Sequence, residues 1–334
     1  MTTIDATLRH ALEVSGHDLI LTLDPALQGL PETAHGGSVL AVFDSLANTT
    51  APREISGLYR RRVPLGVPLT LRRGREDSSE TFTLCDQSDA VLVDGRVAAL
   101  ATDGNGIAPL KTAANDEALS RSGGGGGPLR GPVLSGLARR DPGSPASRKL
   151  ASVVPAEAPR PLPTDVHEHR AYALPVSRAC FACGTDNELG LRARLEFDAD
   201  VVRATWHPRP PFRRADGTLA PAALTTLLDE AAFWLGALAT GESGMTTELR
   251  VALHHPVRFD EPVMITGARA SVRRRDDDAR YQDTEIVARA GDRVVATARI
   301  TFVVVRGAAR RLVSGMLAIN DLECVRRVFP AYAR

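Results

Sequence analysis

Apolar positions recur along this chain with two periods, near 3.6 and near 2, and the switches between them outline its elements. Over residues 36–49, Val39, Leu40, Phe43, Leu46 and Ala47 fall on one helical face, entered by His35-Gly36-Gly37 and interrupted by one acid, Asp44. A second run, Ala220 to Leu235, repeats the pattern with Leu224, Leu227, Leu228, Ala231 and Leu235, and carries Asp229 and Glu230. Residues 1–15, with Leu8, Ala11, Leu12 and Val14, predict a short amphipathic helix. The stretch from Arg306, with Leu312, Met316, Ile319, Leu322, Val325 and Phe329, predicts one more, docked on the second half. Strands are predicted over 17–23, 53–59, 69–71, 80–84 and 90–101, with Asp94-Gly95 as a turn. Further strands are predicted over 201–206, 246–253, 263–273, 281–290 and 293–305. A helix followed by antiparallel strands, twice over, is an α+β pattern.

Between the two halves the composition changes. Residues 102–165 hold five consecutive glycines, Gly123 to Gly127, with repeated prolines and serines, and read as a flexible linker. The expected organisation is an N-terminal domain over 1–101, the linker, a C-terminal domain over 166–305 and a helical tail over 306–334. The halves also match in detail. His35 and Asp44 are nine apart, as are Ala220 and Asp229. Pro64 and Pro68 match Pro256 and Pro262, and Asp94-Gly-Arg-Val-Ala98 matches Gly291-Asp-Arg-Val-Val295. The chain reads as an internal duplication.

Composition narrows the partners. At 334 residues there is room for two cores, and a net charge of +1 shows no footprint for nucleic acid. The first 30 residues lack a basic start followed by an apolar run, and no apolar stretch approaches the roughly 20 residues that span a bilayer. A cytoplasmic protein without membrane association is expected. Four cysteines, Cys85, Cys180, Cys183 and Cys324, make no disulfide framework. Cys180 and Cys183, with His167 and His169, offer zinc-ligand types, but a single Cys-x-x-Cys falls short of a complete site, and no metal is expected. The arginine groups Arg60–Arg62, Arg72-Arg73, Arg213-Arg214 and Arg273–Arg275 suit phosphate, yet arginine abounds here and most read as solvated. His254 and His255 lie in a strand run and read as packing or surface residues.

A helix preceded by His-Gly-Gly, an acid nine residues after the histidine and four antiparallel strands resemble the hotdog fold. Within it the chain is similar to PaaI-type and 4-hydroxybenzoyl-CoA-type thioesterases. Cys180-Phe-Ala-Cys-Gly-Thr-Asp-Asn-Glu-Leu-Gly-Leu191 resembles the lead-in Cys-x-x-Cys-Gly-x-x-Asn-x-x-Gly-Leu of many bacterial members, and Leu227-Leu-Asp-Glu-Ala231 resembles their active-site helix. The resemblance covers about residues 16–101 and 172–305. It implies two hotdog domains, each a helix wrapped by an antiparallel sheet, paired within one chain as a pseudo-dimer that could pair again. It also implies hydrolysis of acyl-CoA or acyl-carrier-protein thioesters, with no cofactor beyond the coenzyme A of the substrate.

The resemblance further implies shared sites, with backbone N–H groups at a helix start from one half and an acid from the other. One site pairs His35, Gly36 and Gly37 with Asp229, and a hydroxyl at the start of the following strand, Thr246 or Thr247, orients water. Gly36 N–H is expected to polarise the thioester oxygen, with Asp229 as base or nucleophile and His35 shaping the turn. Glu230 lies about 100° round the helix from Asp229, so both are not expected to point into one site; the spacing favours Asp229, with Glu230 as the alternative acid and Asp44 and Thr247 as the other secondary candidates. The other site pairs Ala220-Pro221-Ala222 with Asp44. Proline has no N–H to donate, so this site is expected to be degenerate. The rival readings are a non-catalytic acyl-thioester binder and a hotdog hydratase or dehydratase. The latter's Asp-x-Asn-Pro-x-His and His-Phe-Pro-Gly patterns are absent from the sequence. Phe43, Phe233 and Trp234 are candidates to line one end of the pocket.

Overall fold

The computed structural model describes residues 2–15, 18–50, 52–100 and 170–334. The expected linker, 102–165, and both His167 and His169 lie outside these. In the first half the elements are α1 (Ile4–His10), β1 (Leu12–Ser15), β2 (Asp18–Thr22), α2 (Gly36–Leu46), β3 (Arg53–Tyr59), β4 (Pro68–Glu76), β5 (Ser79–Cys85) and β6 (Val91–Ala99). The second half opens with β7 (Tyr172–Ala173), β8 (Glu196–Phe197), β9 (Val201–Trp206) and α3 (Pro221–Thr240). It continues with β10 (Gly244–Leu253), β11 (Val263–Ala268), β12 (Arg273–Arg274), β13 (Tyr281–Ala290) and β14 (Arg293–Val304), then α4 (Ala309–Met316) and α5 (Leu322–Val328).

Among the described residues all strands join one antiparallel sheet, ordered β1-β2-β4-β5-β6-β3-β10-β14-β13-β11-β9-β8-β7, with β12 beside β13. Outward from the central pair, β3-β6-β5-β4-β2-β1 on one side matches β10-β14-β13-β11-β9-β8 on the other. The duplication read from sequence thus recurs as strand order. The halves meet where β3 pairs β10, from Arg53↔Leu253 to Leu58↔Glu248. Burial alternates along β11 and β13, the signature of strands with one face on a core. Helices α2 and α3 lie in that core, touching each other at Gly37 and Thr225, whose hydroxyl donates to Gly37 O at 2.7 Å.

Several boundaries differ from the pattern reading, each for a local reason. The first helix stops at His10, and Leu12 and Val14 continue as β1 against β2, with Val14 81% exposed. Helix α2 ends at Leu46, because Glu80 accepts from Asn48 N at 2.6 Å and Thr49 N at 3.2 Å and draws the chain out of the helix. Asp94-Gly95 is no turn. Both residues lie inside β6, where a Cβ on Gly95 would sit 2.4 Å from the Phe43 ring, itself stacked on Phe82 at 5.2 Å. The chain turns instead at Asp86–Ala90, where Asp86 accepts from Ser88 N and Ala90 N. The strand predicted over 263–273 breaks after Ala268 into a short 3-10 turn. The tail is two helices, not one, parted where Asn320 bonds both Val176 N and Val176 O at 2.8 Å.

Helix α3 also corrects an expectation. It has 20 residues, and an 18-residue window of them has mean hydropathy 1.3, long and apolar enough to cross a membrane by length and composition. Here 83% of that window is buried inside the protein, and the helix carries two acids, as a core helix with a functional face would. Pro221 at its first turn and Gly241 in the left-handed conformation (φ 68°) bound it.

Candidate active site

The loop before α2 ends at His35, which is the helix N-cap with extended backbone. Gly36 and Gly37 follow because two groups of α3 come too close for a side chain. A Cβ on Gly36 would lie 2.7 Å from Asp229 Oδ2, and one on Gly37 would lie 2.4 Å from Thr225 O. This approach sets Asp229, from the second half, against the helix start of the first. Gly37 N–H donates to Asp229 Oδ2 at 3.0 Å, and Thr246 Oγ1–H donates to Oδ1 at 2.6 Å. His35 Nδ1 lies 3.0 Å from the same Oδ2. Asp229, Glu230 and His35 are 4%, 4% and 6% exposed.

Burial, the largest single influence on His35, works against its charged form, yet the hydrogen bond and charge of Asp229, with Glu230 behind them, carry its pKa well above 6.5. Burial likewise works to raise the pKa of Asp229, and the His35 charge together with hydrogen bonds from His35, Thr246 and Gly37 holds it below 3.8. The pair is therefore imidazolium and carboxylate. A charged ring has no lone pair at Nδ1, so the Gly37 N–H, 3.3 Å from that atom, belongs to Asp229. Oδ2 then accepts two hydrogen bonds and Oδ1 one, leaving an open lone pair on Oδ1. Gly36 N–H donates to no group among the described residues, as befits the first turn of a helix.

Contrary to the helical-wheel expectation, Asp229 and Glu230 both point to one cleft. Glu230 Oε2 lies 3.4 Å from His35 Nε2, and Trp234 Nε1–H donates to Glu230 Oε1 at 2.9 Å. Both acids reach the one ring because His35 lies across the helix surface between their directions. Thr246 reaches Asp229, whereas Thr247 turns to Thr301 O at 3.2 Å. Asp44 is closed into a two-pronged ion pair with Arg53, Nε–Oδ1 2.5 Å and Nη2–Oδ2 2.7 Å. Pro221 opens α3, with Ala220 as an N-cap that makes no side-chain hydrogen bond.

His35, Gly36, Asp229, Glu230, Thr246 and Thr247 all border one cleft of about 160 Å³. Phe233 and Trp234 border it too, while Phe43 is packed in the first-half core. Arg60, Arg61 and Arg62 stand along it, and Leu312 and Met316 close part of it from α4. Sequence reasoning missed this use of the tail, since its apolar face only signalled docking. It missed Tyr59 as well, whose hydroxyl donates to Gly36 O at 2.6 Å and whose pKa burial and the Asp229 charge push well above 10.0. Nothing along a strand marks such a tyrosine. Cys180 and Cys183 also line the cleft. Their lead-in is tied to the first half by Phe181 N–H to Gln28 O at 2.6 Å and by Asn187 Nδ2 to Ala26 O at 2.7 Å. A hydrogen bond with Cys183 lowers the Cys180 thiol's pKa, and the same contact raises that of Cys183.

No protein-family model matches the chain, and no curated protein does. Among solved structures, the chain is similar to a provisionally named thioesterase II from Thermobifida fusca, at 15% identity and TM-score 0.51, over 92% of this chain and 98% of that one. A provisionally named thioesterase from Novosphingobium aromaticivorans gives 15% identity and TM-score 0.48, over 88% and 98%. A conserved protein of unknown function with a hot dog fold from Alicyclobacillus acidocaldarius gives 13% and 0.44, over 91% and 98%. With its long helices held against one antiparallel sheet, the chain has the hotdog fold.

Proposed function

We propose that the chain hydrolyses acyl thioesters, carried on coenzyme A or an acyl carrier protein, at one composite site between two hotdog halves acting as an intramolecular pseudo-dimer. One observation carries the reading: a buried carboxylate from one half, Asp229, is held at the helix start of the other, beside a free backbone N–H at Gly36. Helix-start N–H groups stabilise an oxyanion, which is what a thioester carbonyl becomes under attack. The open lone pair on Asp229 Oδ1 points to that oxygen as the attacking group, or as the acceptor of a water proton, with Thr246 fixing its direction. Attack by Oδ1 on the thioester carbon would break the C–S bond, release the thiolate and leave an acyl–Asp229 anhydride that water then cleaves; in the other course Oδ1 takes the proton of a water that attacks the same carbon. His35 is a positioning residue that holds Asp229 charged. The reading requires no cofactor, since coenzyme A enters with the substrate, and the arginines Arg60–Arg62 beside the cleft suit its phosphates. The name thioesterase carried by the Thermobifida fusca neighbour agrees with it.

The second site reads as degenerate: Arg53 occupies both oxygens of Asp44, and Pro221 supplies no donor. Free-thiol release from a panel of acyl-CoAs tests the whole. Asp229→Asn is expected to lower turnover by about 10³-fold, on the scale of losing a reacting group or oxyanion donor, and Asp44→Asn by less than about 3-fold. Equal losses would refute the single site. Tight acyl-CoA binding without thiol release would mark a binding protein instead.

A further inference from the structure

Beside Asp229, three side chains of different chemistry converge, and only His35 among them has a part in the reaction above, as the partner of Asp229. A ring nitrogen of His35, Cys180 Sγ and a carboxylate oxygen of Glu230 all lie within 4.8 Å of one another. They come from three separate segments: the cap of α2, the lead-in turn of the second half, and α3. Each is buried, at 6%, 5% and 4% exposure, and all three border the cleft, so an ion has a way in. Packing alone gives no reason to gather an imidazole, a thiol and a second carboxylate in an apolar interior.

The atoms around the three are arranged as supports. Asp229 holds His35 Nδ1 at 3.0 Å, which turns Nε2 toward Glu230 Oε2, 3.4 Å away. Trp234 Nε1–H holds the other Glu230 oxygen at 2.9 Å. Outer carboxylate and N–H partners of this kind orient histidine and carboxylate ligands in metal sites. Cys180 is anchored through the Phe181 N–H bond to Gln28 O, in the loop that leads into α2. With bonds of about 2.0–2.3 Å, tetrahedral zinc keeps its ligand atoms roughly 3.3–3.8 Å apart. The His35–Glu230 pair meets that spacing as it stands, and the widest pair must close by about 1 Å.

We infer that His35 Nε2, Cys180 Sγ and Glu230 Oε2 form a site for a zinc-class divalent cation, with a fourth position open to the cleft; binding releases the Nε2 proton of the imidazolium and the thiol proton of Cys180 to solvent, while Nδ1–H stays on Asp229. The mixed nitrogen, sulfur and oxygen set selects zinc or cobalt over magnesium or calcium. Because the imidazolium and the thiol each give up a proton, a divalent ion enters without changing the net charge buried with Asp229 and Glu230. The inference reverses the expectation of no metal and does not depend on thioester hydrolysis.

The test uses the full chain, reduced with a phosphine, stripped with a chelator, then dialysed against Co²⁺ or Zn²⁺. One Co²⁺ per chain is expected, with a thiolate-to-cobalt charge-transfer band in the near ultraviolet and intense visible bands of tetrahedral cobalt. Cys180→Ser is expected to abolish the charge-transfer band and to weaken zinc binding by about tenfold or more. Glu230→Gln is expected to weaken binding similarly while keeping the band, and Cys324→Ser, at a thiol that does not line the cleft, to change neither. Failure of the wild-type chain to hold stoichiometric Co²⁺ overturns the inference, whatever the folding of the variants. So does a charge-transfer band that survives Cys180→Ser. Thiol release, measured separately, shows whether the hydrolytic reading stands or falls on its own.

Discussion

The approach of α2 to α3 at Gly37 couples packing to chemistry, and two neighbouring alanine substitutions separate the two effects. In Gly37→Ala the new methyl would lie 2.4 Å from Thr225 O and 2.5 Å from Thr226 Cα, both backbone atoms. Relief requires the helices to part by close to 1 Å, which over-packing data put at about 1–3 kcal/mol. The Gly37 N–H bond to the Asp229 carboxylate is then lost or stretched, at about 1.5–3 kcal/mol for a charged acceptor. Helix propensity returns about 0.5–1 kcal/mol. The net expectation is a loss of roughly 2–5 kcal/mol. In Gly36→Ala the methyl meets only Asp229 Oδ2, at 2.7 Å, the end of a side chain that can shift by about half an ångström. Stability should then change by less than about 1 kcal/mol, while thiol release falls by roughly 10–100-fold, because small displacements of reacting groups are costly in rate. Urea unfolding followed by circular dichroism reads the first quantity, and acyl-CoA turnover the second. Equal stability of the two variants, or full activity in Gly36→Ala, would refute the geometry on which the site rests.

Three further outcomes follow from the same contacts. The raised pKa of His35 makes its share of stability complete below 6.5 and lost as pH rises through the folded value. The lowered pKa of Asp229 makes its share complete above 3.8 and lost as pH falls through its folded value. The stability gap between wild type and Asp229→Asn should therefore be widest between those limits, and the His35 ring proton, followed by NMR, should titrate above 6.5 in wild type and lower in the variant. Thr246→Val removes the donor to Asp229 Oδ1 and should cost about 10-fold or more in turnover, while Thr247→Val, which loses only a bond to Thr301 O, should cost little; the reverse order would reassign the hydroxyl. Replacing Leu312 or Met316 by Trp should fill the α4 side of the cleft and shift the acyl-CoA panel toward shorter chains, and an unchanged chain-length profile would remove the tail from the acyl site.

What was legible in the sequence is what depends on periodicity and spacing. Both long helices, most strands, the duplication and the nine-residue step that singles out Asp229 are local patterns, and local patterns survive folding because each element buries its own apolar face. Turn chemistry was less readable: Asp94-Gly95 has the composition of a turn, but the glycine is there to admit the Phe43 ring from above the strand. Glycine serves loose turns and tight packing alike, and only the neighbour across the core says which. Facing was less readable still. A helical wheel separates Asp229 from Glu230 by about 100°, yet one imidazole set across the helix meets both. Asp44 and Asp229 look equivalent along the chain. Arg53 closes one into an ion pair, and Thr246, Gly37 and His35 hold the other at a cleft. Tyr59, Cys180 and the tail's Met316 join the site from segments far apart in sequence, through contacts that carry no trace in any local window. The chain's pattern determined the elements and the candidate acid; which groups meet around it was decided by the β3–β10 seam and the α2–α3 contact, because electrostatic and hydrogen-bond partners are chosen by distance in space.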